Sequence, residues 1–215
     1  MREGAWHREM GLVLVLAGVA LGCGEDANPT HPAAAAGDGT ISPVMAGATL
    51  DAPLPVAVQL AAARQATAAF HDVSAAYAAG YSTENEPCVA SPEGVMGVHA
   101  PNVSLVADQA LDPARPEALL YVPKPQGYRL VGVEYVQIVL LRDPMGTVAP
   151  WGSQDPWPVG YTVVTPTPRL FGQAFQGPMP GHTPTMPWHW DLHVWLWAPN
   201  PSGTFAEWNP ALQCS

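Results

Sequence analysis

The chain has 215 residues, with 8 Lys and Arg against 18 Asp and Glu, a formal net charge of -10, and only 12% charged residues. Lys124 is its sole lysine, so no nucleic-acid partner is expected, because neutralising phosphates takes clustered basic side chains. Its 25 prolines and 20 glycines fall short of the share that marks wholly disordered or collagen-like chains, and the rest is apolar enough to fold.

At the start, Arg2 and Arg8 precede an uncharged run from Met10 to Gly22. A run of about 13 residues at ~1.5 Å each reaches roughly 20 Å, well short of the ~30 Å hydrocarbon core. Residues 1–22 therefore read as a secretory signal peptide and not as a membrane span. The segment Ala20-Leu21-Gly22-Cys23 resembles the lipobox of bacterial lipoproteins, with Ala20 standing where that family usually has Leu. The resemblance implies lipidation of Cys23 and a place in the cell envelope, facing the periplasm or the cell surface, with the membrane as partner through the lipid. With Cys23 so used, Cys88 and Cys214 remain as an even pair in an oxidising compartment and are expected to be bonded.

Residues 23–50 carry the anchor site and then Ala, Gly, Pro, Thr and Asp without sustained period, including the run Ala33 to Ala36. That composition reads as a flexible linker. From residue 51 to 215 about 165 residues remain, enough for one domain that buries roughly 70% of its unfolded surface.

Between Pro55 and Gly80 the apolar positions Val56, Leu60, Ala63, Phe70, Val73 and Tyr77 recur mostly at three- and four-residue steps in an alanine-rich stretch. This predicts one amphipathic helix, opened by prolines and closed by Gly80, with His71 as a surface residue. Beyond Gly80, short runs punctuated by Pro and Gly predict strands at Ala118 to Val122, Tyr128 to Leu141, Tyr161 to Thr165 and Asp191 to Ala198. Prolines every few residues from Pro144 to Pro187 predict ordered loop over the sheet, since proline is confined to edges and bulges of strands. The expected fold is α+β: an N-terminal amphipathic helix, then an antiparallel β-barrel or sandwich with long Pro-rich loops.

G-x-S-x-G, H-E-x-x-H, C-x-x-C, G-x-G-x-x-G and the Walker loop are all missing, which removes the easy assignments to hydrolase, zincin, thioredoxin-like and dinucleotide chemistry. The polar chemistry concentrates in His189-Trp190-Asp191-Leu192-His193-Val194-Trp195. In an extended strand His189, Asp191, His193 and Trp195 share one face, and neighbours two apart can converge on one ion at about 2.1 Å. A polar strand face of hydrogen-bonded histidines is the plainer alternative.

Glu134 falls in the middle of the predicted strand Leu130-Val131-Gly132-Val133-Glu134-Tyr135-Val136, so an inward carboxylate needs a cation, either a metal or one of Arg129 and Arg142. His99 follows the glycine-rich turn Gly94-Val95-Met96-Gly97-Val98 and precedes Pro101, a position from which it can point into a cavity. Together these make a mixed N/O set that suits Zn, Mn, Fe or Cu. Such a set resembles the His-plus-Glu site of cupins, small β-barrels with an internal metal, although the cupin H-x-H precedes its glutamate and here the His-rich strand comes last. Tyr135 and Trp195 are the expected pocket walls for a small-molecule ligand.

Met179, His182 and Met186, in the Pro-rich loop just before His189, offer the thioethers and imidazole that suit copper, or else simply cover apolar surface. Seven of the eight tryptophans follow residue 150, with core packing as their default role. The sequon Asn102-Val103-Ser104 is expected to be idle. The end of the chain, from Leu192 to Trp197 through Asn200-Pro201, Gly203, Phe205 and Trp208-Asn209-Pro210 to Cys214, resembles the C-termini of uncharacterised secreted bacterial proteins. That resemblance implies no activity, but it suggests that His99, Glu134 and His193 belong to one unit. Two functional classes follow from these residues: a metal-binding domain with scope for catalysis, and a non-catalytic lipoprotein that handles copper or binds envelope partners.

Overall fold

The computed structural model describes residues 53–152, 155–183 and 186–214. The expected signal peptide, Cys23 and the whole of the expected linker lie outside the described residues. The predicted single helix is two. Helix α1 (Val56–Thr67) runs into a 3-10 turn (Ala68–His71), and α2 (Val73–Ala78) begins afresh. The break falls at Asp72, whose backbone is extended and whose carboxylate accepts from Ser74 N–H at 2.9 Å, an N-cap that starts a new helix instead of continuing the old one. His71 is exposed, with its ring edge-on to Trp197.

The buried stripe of α1 is Gln59, Ala63 and Thr67, not the large apolar residues, and Val56 and Val58 stay exposed. Small side chains let the helix approach the sheet closely, and the two polar ones are satisfied. Gln59 donates to Leu54 O and accepts from Phe171 N–H, while the Thr67 hydroxyl donates to Ala63 O and accepts from Trp197 Nε1–H.

The strands follow: β1 (Cys88–Ser91), β2 (Gly94–Pro101), then a short helix α3 (Val103–Asp108), β3 (Ala118–Pro123), β4 (Tyr128–Ile138), β5 (Leu140–Arg142), β6 (Val148–Pro150), β7 (Thr162–Val163), β8 (Arg169–Leu170), β9 (Gln173–Ala174), β10 (Gln176–Met179) and β11 (His189–Val194). Six of them form an antiparallel sheet in the order β1-β2-β3-β4-β11-β10, with β5, β6 and β7 in a second sheet and β8 with β9 in a third. The architecture is thus antiparallel β with few helices. The main sheet curls as a half-barrel and does not close, because β1 and β10 end it as unpaired edges. Pro178 in β10 removes a ladder donor, and only two residues of that strand hold register with β11.

The long strand predicted from Tyr128 to Leu141 divides at Val139, whose N–H turns to Trp188 O at 2.8 Å, so that Leu140 begins the second sheet. The last strand starts earlier than predicted, at His189, and ends at Val194.

The two faces of the main sheet are covered differently. One carries the larger apolar cluster, in which Ala63 and Ala76 of the helices meet Val98, Leu119, Tyr121, Val133, Tyr135 and Leu192. The other carries a smaller cluster of Val95, Leu120, Val122, Val131, Trp195, Ala198 and Leu212. Cys88 and Cys214 form the expected disulfide, with Cα atoms 5.8 Å apart and a sequence separation of 126. A loop of that length restricts the unfolded chain by about 5 kcal/mol on the chain-entropy account.

Candidate functional site

Register places the polar residues. In the β4–β11 ladder His193 stands opposite Glu134, Asp191 opposite Val136 and His189 opposite Ile138. Opposite residues in an antiparallel pair point the same way, so the His-x-Asp-x-His alternation and Glu134 share one sheet face. His99 reaches them from β2, where it stands opposite Leu120 of β3. Three strand spacings at ~4.8 Å would part His99 from β11 by about 14 Å in a flat sheet. The curl brings the rings together, with Nε2 of His99 and Nε2 of His193 3.3 Å apart. Gly132 lies beneath this approach on β4. A Cβ there would sit 2.8 Å from Val194 O and 3.4 Å from the Trp195 ring, so a side chain would force the strands apart.

Around that contact the distances are short. His99 Nε2 lies 3.8 Å from Glu134 Oε2, and Asp191 Oδ2 lies 4.0 Å from both His193 Nδ1 and His189 Nε2. His182 comes from the loop after β10, its ring centre 5.6 Å from that of His99 and 5.1 Å from that of His189. Three overlapping sets could hold a metal ion, each with ligand atoms all within 4.8 Å of one another: His99, Glu134 and His182; His182, His189 and Asp191; Glu134, Asp191 and His193. Two ligands at ~2.1 Å from one tetrahedral ion sit about 3.4 Å apart, the scale of these separations.

One proton between His99 Nε2 and His193 Nε2 accounts for that contact and leaves the rest of the cluster unmatched. His189 Nδ1 lies 3.1 Å from Pro187 O, and since a carbonyl can only accept, that nitrogen donates. In the neutral ring Nε2 is then a bare lone pair, and it faces the carboxylate of Asp191. Glu134 Oε1, His189 Nε2, both Asp191 oxygens and His193 Nδ1 are buried without a hydrogen-bond partner. Each such group costs roughly 1–3 kcal/mol when left unmatched.

Burial pushes the His99 imidazole down to about 3, with His182 and His189 adding to it, and holds His189 down to about 4. His193 is driven well below its ordinary value by burial and then by the neighbouring histidines, and His182 is lowered by burial. The acids go the other way. Asp191 is raised to about 7 by burial and then by Glu207, and Glu134 is raised well above the carboxylate range by burial and then by Asp191 and Glu117. Four neutral imidazoles and two reluctant carboxylates, mostly acceptors facing acceptors, suit a cation in their midst.

Neither arginine weighed for Glu134 reaches it. Arg129 and Arg142 are exposed, and among the described residues the ionic neighbour of Glu134 within 4.0 Å is His99. His99, Glu134 and His182 line a cavity of about 580 Å³, whereas His189, Asp191 and His193 sit in the layer behind.

The expected pocket walls are a correction. Tyr135 follows Glu134 on β4 and therefore faces the helices, where its hydroxyl donates to Pro113 O at 2.6 Å and its ring packs on Phe171. Trp195 lies on the His193 side, stacked at 6.3 Å from that ring with Nε1–H donating to Ala206 O, and it walls the cluster but does not line the cavity. The walls come instead from Val136 and Ile138 of β4 and from Val103, Val106 and Ala107 of α3.

Of the copper set, His182 joins the imidazole–carboxylate cluster, Met186 lines the cavity, and Met179 stands opposite His189 in register without lining it. Asn102 of the sequon is buried as the N-cap of α3, its side chain accepting from Ser104 and Leu105 N–H and donating to Ala79 O.

Fold and site together define an antiparallel β protein with a half-barrel sheet whose inner face carries histidines and carboxylates. The chain matches no protein-family model, no curated protein and no solved structure.

Proposed function

We propose that the domain binds one divalent metal ion within the cluster of His99, Glu134, His182 and His193, where Glu134 is shared between the set with His99 and His182 and the set with Asp191 and His193, and His189 stands behind. The observation that carries this reading is the group of five buried, unpartnered lone-pair atoms converging from β4 and β11. Asp191 Oδ2 stands 4.0 Å from His193 Nδ1 with neither atom hydrogen-bonded, a carboxylate placed beside a ligating imidazole of the kind that tunes metal affinity. Nitrogen and oxygen donors of this kind suit Zn, Mn, Fe or Cu. An ion held there would present Lewis acidity toward the cavity, which is the basis for a metal-dependent enzyme acting on a small substrate.

The test is metal analysis of purified, reconstituted protein beside a His193→Ala variant. One equivalent in the wild type and a sharp loss in the variant is the expected result, and no stoichiometric metal in the wild type ends the reading. Copper handling is the second reading, favoured by Met186 and His182 lining one cavity. It requires Cu(I) affinity that falls when Met179 and Met186 become leucine and survives loss of Glu134.

We further propose that the mature chain begins at a lipidated Cys23 and lies in the cell envelope, tethered by residues 23–50. The lipobox-like segment supports this. Among the described residues, no helix is long and apolar enough to cross a membrane. An intact mass without a diacylglyceryl addition on Cys23 contradicts the anchor.

A further inference from the structure

The cavity beside the cluster has walls of one kind. Val103, Val106 and Ala107 of α3 face Val136 and Ile138 of β4 across it, with Leu140 beyond. A volume of about 580 Å³ is in the range that holds a small organic molecule. Its polar lining is concentrated in the candidate metal ligands His99, Glu134 and His182.

The other polar residues there are Glu86, Thr183 and Gln109, and Gln109 is already engaged, its Oε1 accepting from Ile138 N–H at 3.0 Å and its Nε2 donating to Val106 O. Among the described residues no Lys or Arg lines the space, so a phosphate or a dicarboxylate would find no fixed cation there apart from the ion. The sugar-like alternative fails as well, since a ring of hydroxyls needs many partners and these walls are hydrocarbon. Two carboxylates line the cavity, Glu134 within a candidate metal set and Glu86 outside it, so the ion is the one cation that an oxygen head group would meet there.

Resting on the metal reading above, we propose that the cavity binds a small amphiphile: a hydrocarbon body with a single oxygen head such as a carboxylate, the head on the ion and the body lying along α3. The apolar body is what these walls can recognise, and it sets specificity by length. Binding then grows with each methylene until the space between α3 and β4 is filled.

The experiment is calorimetric titration of the full chain, loaded with Zn²⁺ or metal-free, with straight-chain monocarboxylates of increasing length and with gluconate as a polar-bodied control. The zinc-loaded protein is expected to bind about three- to fourfold more tightly per added methylene, up to a plateau. Gluconate should bind no better than acetate, and the metal-free protein should bind all of them weakly. Val106→Phe, on the half-buried α3 wall, should move the plateau to shorter chains while zinc content stays at the wild-type level, and Ile138→Phe repeats that test from β4 if the first variant misfolds.

A flat length series on protein that retains zinc overturns the ligand class and leaves the metal reading standing. An equal series with and without zinc overturns the placement of the head on the ion. An unmoved plateau in folded variants overturns the placement of the body. Failure to retain zinc removes both readings together.

Discussion

The two faces of the main sheet treat buried polarity in opposite ways. On the helix side three tyrosines are deep in the core and each hydroxyl has a carbonyl to donate to: Tyr81 to Pro116 O, Tyr121 to Phe70 O and Tyr135 to Pro113 O, at 2.6 to 2.8 Å. On the inner face, one residue away along β4, Glu134 and its neighbours on β11 include five of the seven buried polar atoms without a partner among the described residues. Trp190 Nε1 and Glu117 Oε1 are the other two. Polar groups that serve only the fold end up paired, because an unmatched one costs roughly 1–3 kcal/mol. A concentration of unmatched acceptors on one face is what the proposed metal site predicts, stability given up where an ion would bind.

The sharpest way to break that comparison is Glu134→Leu. Metal affinity is expected to fall at least a hundredfold while the metal-free protein becomes more stable, by about 1–3 kcal/mol, since an unmatched acid leaves the interior. Metal titration and chemical denaturation of the same sample check both halves, and a variant that is less stable without metal means Glu134 serves the fold. Asp191→Asn comes next. Support of a ligating imidazole by a neighbouring carboxylate is worth roughly 10–100-fold in metal affinity, and competition against a chromogenic chelator reads that loss.

A pH series gives a smaller, graded effect. Asp191, at about 7, and Glu117, at about 8, hold protons in the fold that unfolded carboxyls release near 4, and Glu134 is raised in the same sense. Between about pH 4 and 6.5 the buried histidines oppose this, because the fold holds them neutral while the unfolded chain protonates them. Above about 6.5 they are neutral in both states, the folded state binds more protons, and the stability of the metal-free protein falls as pH rises to about 8. Metal flattens the part due to Asp191 and Glu134 and leaves the part due to Glu117. A metal-free protein that gains stability between about pH 6.5 and 8 contradicts the assignment. The smallest effect belongs to the helix side: Tyr135→Phe should cost about 1 kcal/mol of stability, the worth of one satisfied hydrogen bond, with metal affinity unchanged.

Much of the site was legible in the sequence, because strand alternation is a local property. His189, Asp191 and His193 share a face as expected, Glu134 points inward, and the disulfide joins the expected pair. What was not legible is what depends on pairing. Nothing local says that β11 lies on β4 with His193 opposite Glu134, or that curl carries His99 across three strands. Tyr135, expected as a pocket wall, departs for the converse reason: its position next to Glu134 in sequence sends it to the other face.

His182 was separated from its neighbours because its methionines suggested another chemistry, while its place depends on how the loop after β10 folds over the sheet. Six of the eight residues of β2 are buried, leaving no alternation to see, and a positive φ at Gly97, where a Cβ would strike Tyr121 O, permits its bulge against β1. The helix was read as continuous because a cap inside an alanine-rich run, here Asp72, leaves little trace in hydrophobic period.

The most direct measurement is X-ray absorption at the edge of the metal retained by the full-length protein. A nitrogen–oxygen shell near 2.0–2.1 Å with multiple-scattering features of at least two imidazoles, lost in the Glu134→Leu variant, is the predicted result. A sulfur shell near 2.3 Å, or a protein that retains no ion after reconstitution, would contradict the account.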